Sequence, residues 1–241
     1  MIAALPMYDR PELRSHTDAL WSALRDALRA RGIDAPDTLT RDRDPWDIWQ
    51  DPGLLFAQTC GLPSRARLHT GVRLVATPDY GLPGCPPGHY NSVILARTPK
   101  MPDRPRLAVN DALSQSGWAA LHGWMQGRGI TPGPVTITGS HAASAHAVAE
   151  GRADLAAIDA QTWRQLIRFD HADPALEIAR TDPTPALPYI TAASQDPAPV
   201  RAALTEALAT LPQAIQDALD LRGLAQIDAA AYLAIPIPPN P

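Results

Sequence analysis

Three stretches in the middle of the chain repeat one pattern, and that repetition constrains the fold more than any other feature. "RLAVND" precedes "SQSG" and a run in which Trp118, Leu121, His122, Trp124 and Met125 fall at roughly helical spacing. "VTITG" precedes "SHAASAHAVAEG", and "DLAAID" precedes "AQTWRQLI". Each reads as strand, polar turn, helix, the mark of βα units around a parallel sheet. The strands are apolar runs without alternation, as expected where helices cover both faces.

The flanking sequence extends the pattern. "MIAALPM" reads as a first strand ending near Tyr8. A helix follows, with Leu13, Leu20, Trp21, Leu24 and Leu28 on one face, Pro11 near its start and Gly32 as its stop. "DPWDIWQDP" reads as a short helix whose Trp46 and Trp49 pack a local core. "GLLFAQTCG", "GVRLVATP" and "NSVILART" read as buried strands, separated by the Gly/Pro crossover "DYGLPGCPPGHY". Val200 to Leu211 and Ile215 to Leu224 each carry an apolar helical stripe, and "ALPYITAAS" leads back to them as a strand. The fold class is therefore α/β. The pattern predicts two lobes, residues 1–86 with 190–241 and residues 87–189. Strand-like crossings near Tyr90 and Tyr189 would join them as a hinge around a cleft. A single α/β domain without a cleft is the other arrangement open to this sequence.

Composition excludes several functions. The net charge is −4 with no basic block, which argues against nucleic acid and against a polybasic membrane patch. No apolar run approaches the roughly 20 residues of a membrane helix, so no membrane insertion is expected. No signal peptide is visible, so the chain as written is expected to be soluble and to remain in the cytoplasm. The same chain with a leader removed would be periplasmic. Two cysteines, Cys60 and Cys85, are too few for a metal cluster, and neither a metal nor a cofactor is expected. They are either two thiols or one disulfide, and a disulfide would imply an oxidising compartment.

Ligands of open parallel sheets bind beyond the carboxyl ends of the strands. Those ends offer Tyr8, then Gln58 and Thr59, then Ser114, Gln115, Ser116 and the N–H of Gly117, then Ser140 and His141, then Asp159 and Gln161. Nearly all are neutral hydrogen-bonding groups. Ser114 and Ser116 sit where an N-cap belongs, and a helix start suits an anion. His141 opens its helix as a donor to an oxyanion or to the backbone, whereas His146 belongs to surface or packing. Asp159 serves as a ligand contact or an N-cap. The sequence contains no G-x-S-x-G elbow, P-loop, strand-following G-x-G-x-x-G or H-E-x-x-H, and no catalytic residue is singled out.

Four stretches together, "LSQSGWAAL", "ITGSHAASAHAVAEGRADLAAID", "LLFAQTCGLP" and "ATPDYGLPGCPPGHYNS", resemble the substrate-binding proteins of phosphate/phosphite/phosphonate ABC transporters. The resemblance implies the periplasmic binding protein type II fold. It also implies a non-catalytic protein that captures a small oxyanion and passes it to an ABC permease. Ser114, Ser116 and the Gly117 amide would hold phosphonate or phosphate oxygens with His141 as a further donor, and Tyr8 and the Gln58–Thr59 loop would act from the other lobe. Gln115, the middle residue of S-x-S, adds an amide donor. Gln161 and Tyr189 stand where the family's aminoalkylphosphonate binders are expected to place carboxylates. That substitution implies a ligand without an amine, or one that is not a phosphonate. Two other readings use the same fold: an intracellular ligand sensor, and a small-molecule enzyme with His141 or Asp159 as acid or base.

Overall fold

A computed structural model describes residues 1–98 and 100–241. The first third of the chain forms β1 (Ile2–Ala4), α1 (Arg14–Ala30), α2 (Pro45–Trp49), β2 (Leu54–Gln58), α3 (Gly61–Pro63) and β3 (Val72–Asp79). The middle forms β4 (His89–Tyr90), β5 (Ser92–Leu95), β6 (Leu107–Val109), α4 (Ala120–Gln126), β7 (Val135–Ile137), α5 (His141–Ala149), β8 (Leu155–Asp159), α6 (Ala160–Asp170) and β9 (Glu177–Arg180). The remainder forms β10 (Thr184–Pro185), β11 (Tyr189–Ala192), α7 (Pro197–Thr210), α8 (Gln213–Ala218), β12 (Gly223–Ala225) and α9 (Ala229–Leu233). Wide π turns at Ser64–Leu68 and Gln115–Ala119 extend α3 and precede α4.

The chain divides into two compact units. Met1–Gly81 and Pro185–Ala234 make the first; Leu82–Thr184 and Ile235–Pro241 make the second. These limits differ from the sequence reading of 1–86 with 190–241 against 87–189, most of all at the C-terminus. There the last seven residues group with the second unit. Pro236, Pro238 and Pro239 prevent helix in that segment, and the Trp118 indole N–H donates to the Pro239 carbonyl at 2.6 Å.

The first unit is built on a sheet of order β1-β2-β11-β3-β12. β2 runs parallel to β1, and β11 runs antiparallel to β2 and β3. β2 is buried along its whole length. Phe56 stacks on Trp21 of α1 at 6.5 Å and meets Tyr189 of β11 at 4.9 Å. The predicted stripe of α1 is its buried face: Thr17, Leu20, Trp21, Leu24, Ala27 and Leu28. That helix packs on α7. Ile48 and Trp49 of α2 join Leu54, Ala57, Val72 and Ile190 in a second core cluster, as a local core at the Trp pair requires.

Tyr232 of α9 is a buried anchor of this unit. Its hydroxyl donates to the Ala186 carbonyl at 2.7 Å and lies 2.8 Å from the Thr77 hydroxyl. Burial raises its pKa above the usual phenol range, so it remains a neutral donor. Tyr232→Phe is expected to destabilise the protein by about 1–3 kcal/mol, because it leaves a buried acceptor unmet. The urea midpoint should fall with an unchanged m-value; an unchanged midpoint would refute the anchor.

The second unit has sheet order β7-β6-β8-β5-β9. The three βα strands are mutually parallel as predicted, β6 with β7 and β6 with β8. The sheet as a whole is mixed, because β5 pairs antiparallel with β8 and with β9. Trp118, Leu121 and Met125 pack on one side against Ile94, Leu107, Val109 and Leu155. Trp163 and Leu166 of α6 are also buried, and the Trp163 indole donates to Glu177 at 3.1 Å.

One further expectation is corrected, and one open alternative is decided. The helix read from Ile215 to Leu224 stops at Ala218, since Asp220 adopts φ 54° and Gly223–Ala225 pairs with β3 as strand β12. Of the two states open for Cys60 and Cys85, two thiols or one disulfide, the structure has no disulfide. Cys60 belongs to the first unit and Cys85 to the second, so a bridge would have had to staple one to the other. Among the described residues, no helix is long and apolar enough to cross a membrane.

Candidate functional site

The carboxyl end of β6 opens into the loop that carries the S-x-S-G motif. Ser114 has extended backbone and caps the turn, its Oγ accepting from the Gly117 N–H at 2.9 Å. The turn is wider than an α turn: Ala119 N–H reaches back five residues to Ser114 O at 3.0 Å, beside Trp118 N–H on the same carbonyl at 3.1 Å. π segments inside helices are frequently associated with functional sites. Ser114, Gln115 and Ser116 are all at least 95% buried, although polar side chains at a loop usually face water.

The carboxyl end of β7 supplies the second loop. Gly139 takes φ 84°, a conformation glycine adopts without strain. Ser140 then caps α5, accepting from Ala143 N–H at 3.1 Å, and His141 opens the helix. Thr138 ties this loop to the first through its N–H and hydroxyl on the Val109 carbonyl, at 2.8 and 3.2 Å.

The two helix starts meet at one contact. Ser116 Oγ lies 2.9 Å from His141 Nε2. Burial pushes the imidazole pKa down to about 4, partly offset by the backbone carbonyl of Ala157. His141 is therefore neutral near pH 7. One of its nitrogens then carries a proton while the other accepts, and the Ser116 hydroxyl adapts to either tautomer. The pair is a small polar surface at the positive ends of two helices.

Several expected residues also have structural contacts or buried positions within the unit. Asp159 is 2% exposed and caps α6, accepting from Thr162 N–H at 2.8 Å. Gln161 is buried in the first turn of α6. The Gly117 amide donates to Ser114, so Ser114 and Gly117 are already joined to each other. His146 is exposed. Among the described residues, no group of three or more His, Cys, Asp or Glu side chains could hold a metal ion.

In the first unit, Gln58 ends β2 and is 3% exposed; its amide donates to Tyr80 Oη at 2.9 Å and to Leu187 O at 3.1 Å. Tyr8 packs edge-on against Tyr80 at 5.2 Å. Burial raises the Tyr189 pKa, and a hydrogen bond with Tyr80 opposes that rise. Thr59 is fully buried, its N–H on Pro188 O and its hydroxyl without a hydrogen-bond partner. The structure thus gathers Tyr8, Gln58, Thr59, Tyr80 and Tyr189 around the ends of β2 and β3. Tyr80 was missed from the sequence, although its place directly after the "VATPD" strand was a usable signal. Asn110, directly after β6, was missed as well.

A family model described as ABC transporter, phosphonate, periplasmic substrate-binding protein matches residues 64–232. By sequence, no curated protein matches the chain. Among solved structures, XAC2383 from Xanthomonas citri bound to ATP aligns with a TM-score of 0.71 at 15% identity, over 96% of this chain and 92% of that one. PhnD1 from Prochlorococcus marinus in complex with methylphosphonate aligns at 0.67 and 13% identity, over 96% and 94%. PA3383 from Pseudomonas aeruginosa, a binding protein component of an ABC phosphonate transporter, aligns at 0.66 and 14% identity, over 97% and 83%.

Proposed function

This chain belongs to the periplasmic phosphonate substrate-binding proteins of ABC transporters, with the two-unit α/β fold of the type II periplasmic binding proteins, and on that premise we propose that it is a non-catalytic protein that captures a small phosphonate- or phosphate-type oxyanion between its units and delivers it to a permease. The observation that carries the reading is the 2.9 Å contact of Ser116 with His141, which joins two helix N-termini in one uncharged donor surface. Tyr8, Gln58, Thr59 and Gln115 are assigned to the remainder of the ligand, and Gln161 to the wall of the same site. Asp159 is assigned to the helix cap it already makes. A buried ammonium needs a carboxylate partner, and the groups assigned to the ligand are neutral, so the ligand carries no amine. His141 is a donor rather than a catalytic base, because an imidazole with a pKa of about 4 is a poor proton acceptor at neutral pH.

A thermal-shift panel tests this reading. It comprises methylphosphonate, 2-aminoethylphosphonate, inorganic phosphate, phosphite, ATP and sulfate. A ligand at 100 times its Kd adds about 2.7 kcal/mol, which for a chain of this size raises Tm by roughly 5–10 °C. Methylphosphonate, phosphite or phosphate is expected to give that shift, and 2-aminoethylphosphonate is not. A well-folded protein that ignores every oxyanion would remove the proposal.

A further inference from the structure

Gly117 is not needed for its backbone conformation, since it is absent from the glycines with positive φ. What the position forbids is a side chain. A Cβ built there would lie 1.8 Å from Asn110 Oδ1 and 3.0 Å from both Asn110 Cγ and Ser114 Oγ. The Asn110 carboxamide thus occupies the space that the side chain of residue 117 would fill. Only the glycine's own hydrogen fits in that space.

The same residue reaches the second loop. Asn110 O accepts the Gly139 N–H at 3.1 Å, two residues before His141. Asn110 therefore touches the turn that carries Ser116 through its side chain and the loop that carries His141 through its backbone. Its Oδ1 is enclosed without a hydrogen-bond donor. An enclosed, unmet amide oxygen is destabilising, so stability alone does not explain an asparagine here. We infer that Asn110 is a positioning residue: its carboxamide is the spacer that holds the Ser114–Gly117 turn off the end of β6 and sets the Ser116–His141 contact. The inference deepens the oxyanion reading and rests on it only where ligand affinity is measured.

The test is a double-mutant cycle of Asn110→Ala and Gly117→Ala, with methylphosphonate, or the panel's best ligand, as the probe in calorimetry. Gly117→Ala alone should weaken binding more than 100-fold, and Asn110→Ala alone about 10-fold. The double variant should return to the Asn110→Ala level, because the shortened side chain admits the new Cβ. Losses that multiply instead, or an Asn110→Ala protein with unchanged affinity, would overturn the inference. If Gly117→Ala fails to fold, the Asn110→Ala affinity still decides. If the wild type binds none of the oxyanions, the functional reading fails, and the inference is decided in ligand-free protein. There Asn110→Ala should move the His141 NMR titration up from about 4 toward the ordinary histidine range as the turn sinks. An unmoved titration would overturn the inference.

Discussion

Ser116→Ala and His141→Ala are each expected to weaken oxyanion binding by roughly 10- to 150-fold, since a hydrogen bond to a charged group contributes about 1.5–3 kcal/mol. The two losses should not add. The side chains touch at 2.9 Å, and residues in one network couple. The double variant should therefore bind only slightly worse than the weaker single variant. Ser140→Ala is the internal control. That hydroxyl caps α5 on Ala143 N–H, so its removal should lower stability by about 1 kcal/mol and leave affinity within a factor of a few. Calorimetric titration with the best ligand of the panel reads all four proteins. Affinities that stay unchanged in Ser116→Ala and His141→Ala would move the ligand away from this surface. Equal losses in Ser140→Ala would show that helix stability, rather than donor chemistry, governs binding.

The parts of this fold visible in the sequence were those set by local pattern. The stripe of Leu20, Trp21, Leu24 and Leu28 is the buried face of α1 because a period near 3.6 allows no other face to be apolar. The strands ending at Val109 and Asp159 stood out because each is an apolar run followed by a capping residue, and both Ser114 and Asp159 do cap. Pairing partners were less visible. The antiparallel neighbours of β5 are set by long-range register, and a two-sided buried strand such as "SVIL" reads the same in either direction. The strand Gly223–Ala225 was hidden in an apolar stripe that looked helical, and the left-handed Asp220 that breaks it has no unique sequence signal.

The candidate site divides in the same way. Ser116 and His141 could be named because their residue types suit anions at helix starts. The π-wide turn at Gln115–Ala119 could not, since it depends on which carbonyl the Ala119 N–H selects. Nor could the reason for Gly117. A glycine in a sequence usually suggests a free φ, whereas here the constraint is the carboxamide of Asn110, seven residues earlier in the chain and brought close only when the loop closes. Asp159 shows the opposite case. The sequence allowed a ligand contact or a cap, and the structure shows the cap, Asp159 Oδ1 accepting from Thr162 N–H.

Stability is expected to fall by about 3 kcal/mol from His141 alone as pH drops from about 6.5 to about 4. The folded pKa is about 4 against an ordinary value of 6.5. In this window the unfolded chain takes up a proton that the folded protein refuses, and each pH unit costs about 1.4 kcal/mol. The contribution is complete above pH 6.5 and is lost as pH falls through that window. The lowered carboxylates act elsewhere. A side-chain hydrogen bond from Arg106 chiefly holds Asp154 below 3.8, and one from the Gly53 backbone does the same for Asp51. Their stabilisation is present above their ordinary value and is lost only at lower pH. His141→Gln should therefore flatten the stability profile between pH 6.5 and 4 and leave the lower limb unchanged, as read from urea midpoints at half-unit steps. A bound anion changes the sign of the effect on affinity. Negative charge beside the ring favours the imidazolium and raises its pKa, so binding takes up a proton. Relative to His141→Gln, which cancels the ligand's own titration, wild-type affinity should increase as pH falls from 6.5 to about 4. Parallel pH profiles for the two proteins, in stability and in affinity alike, would place His141 outside both the enclosed environment and the anion's field.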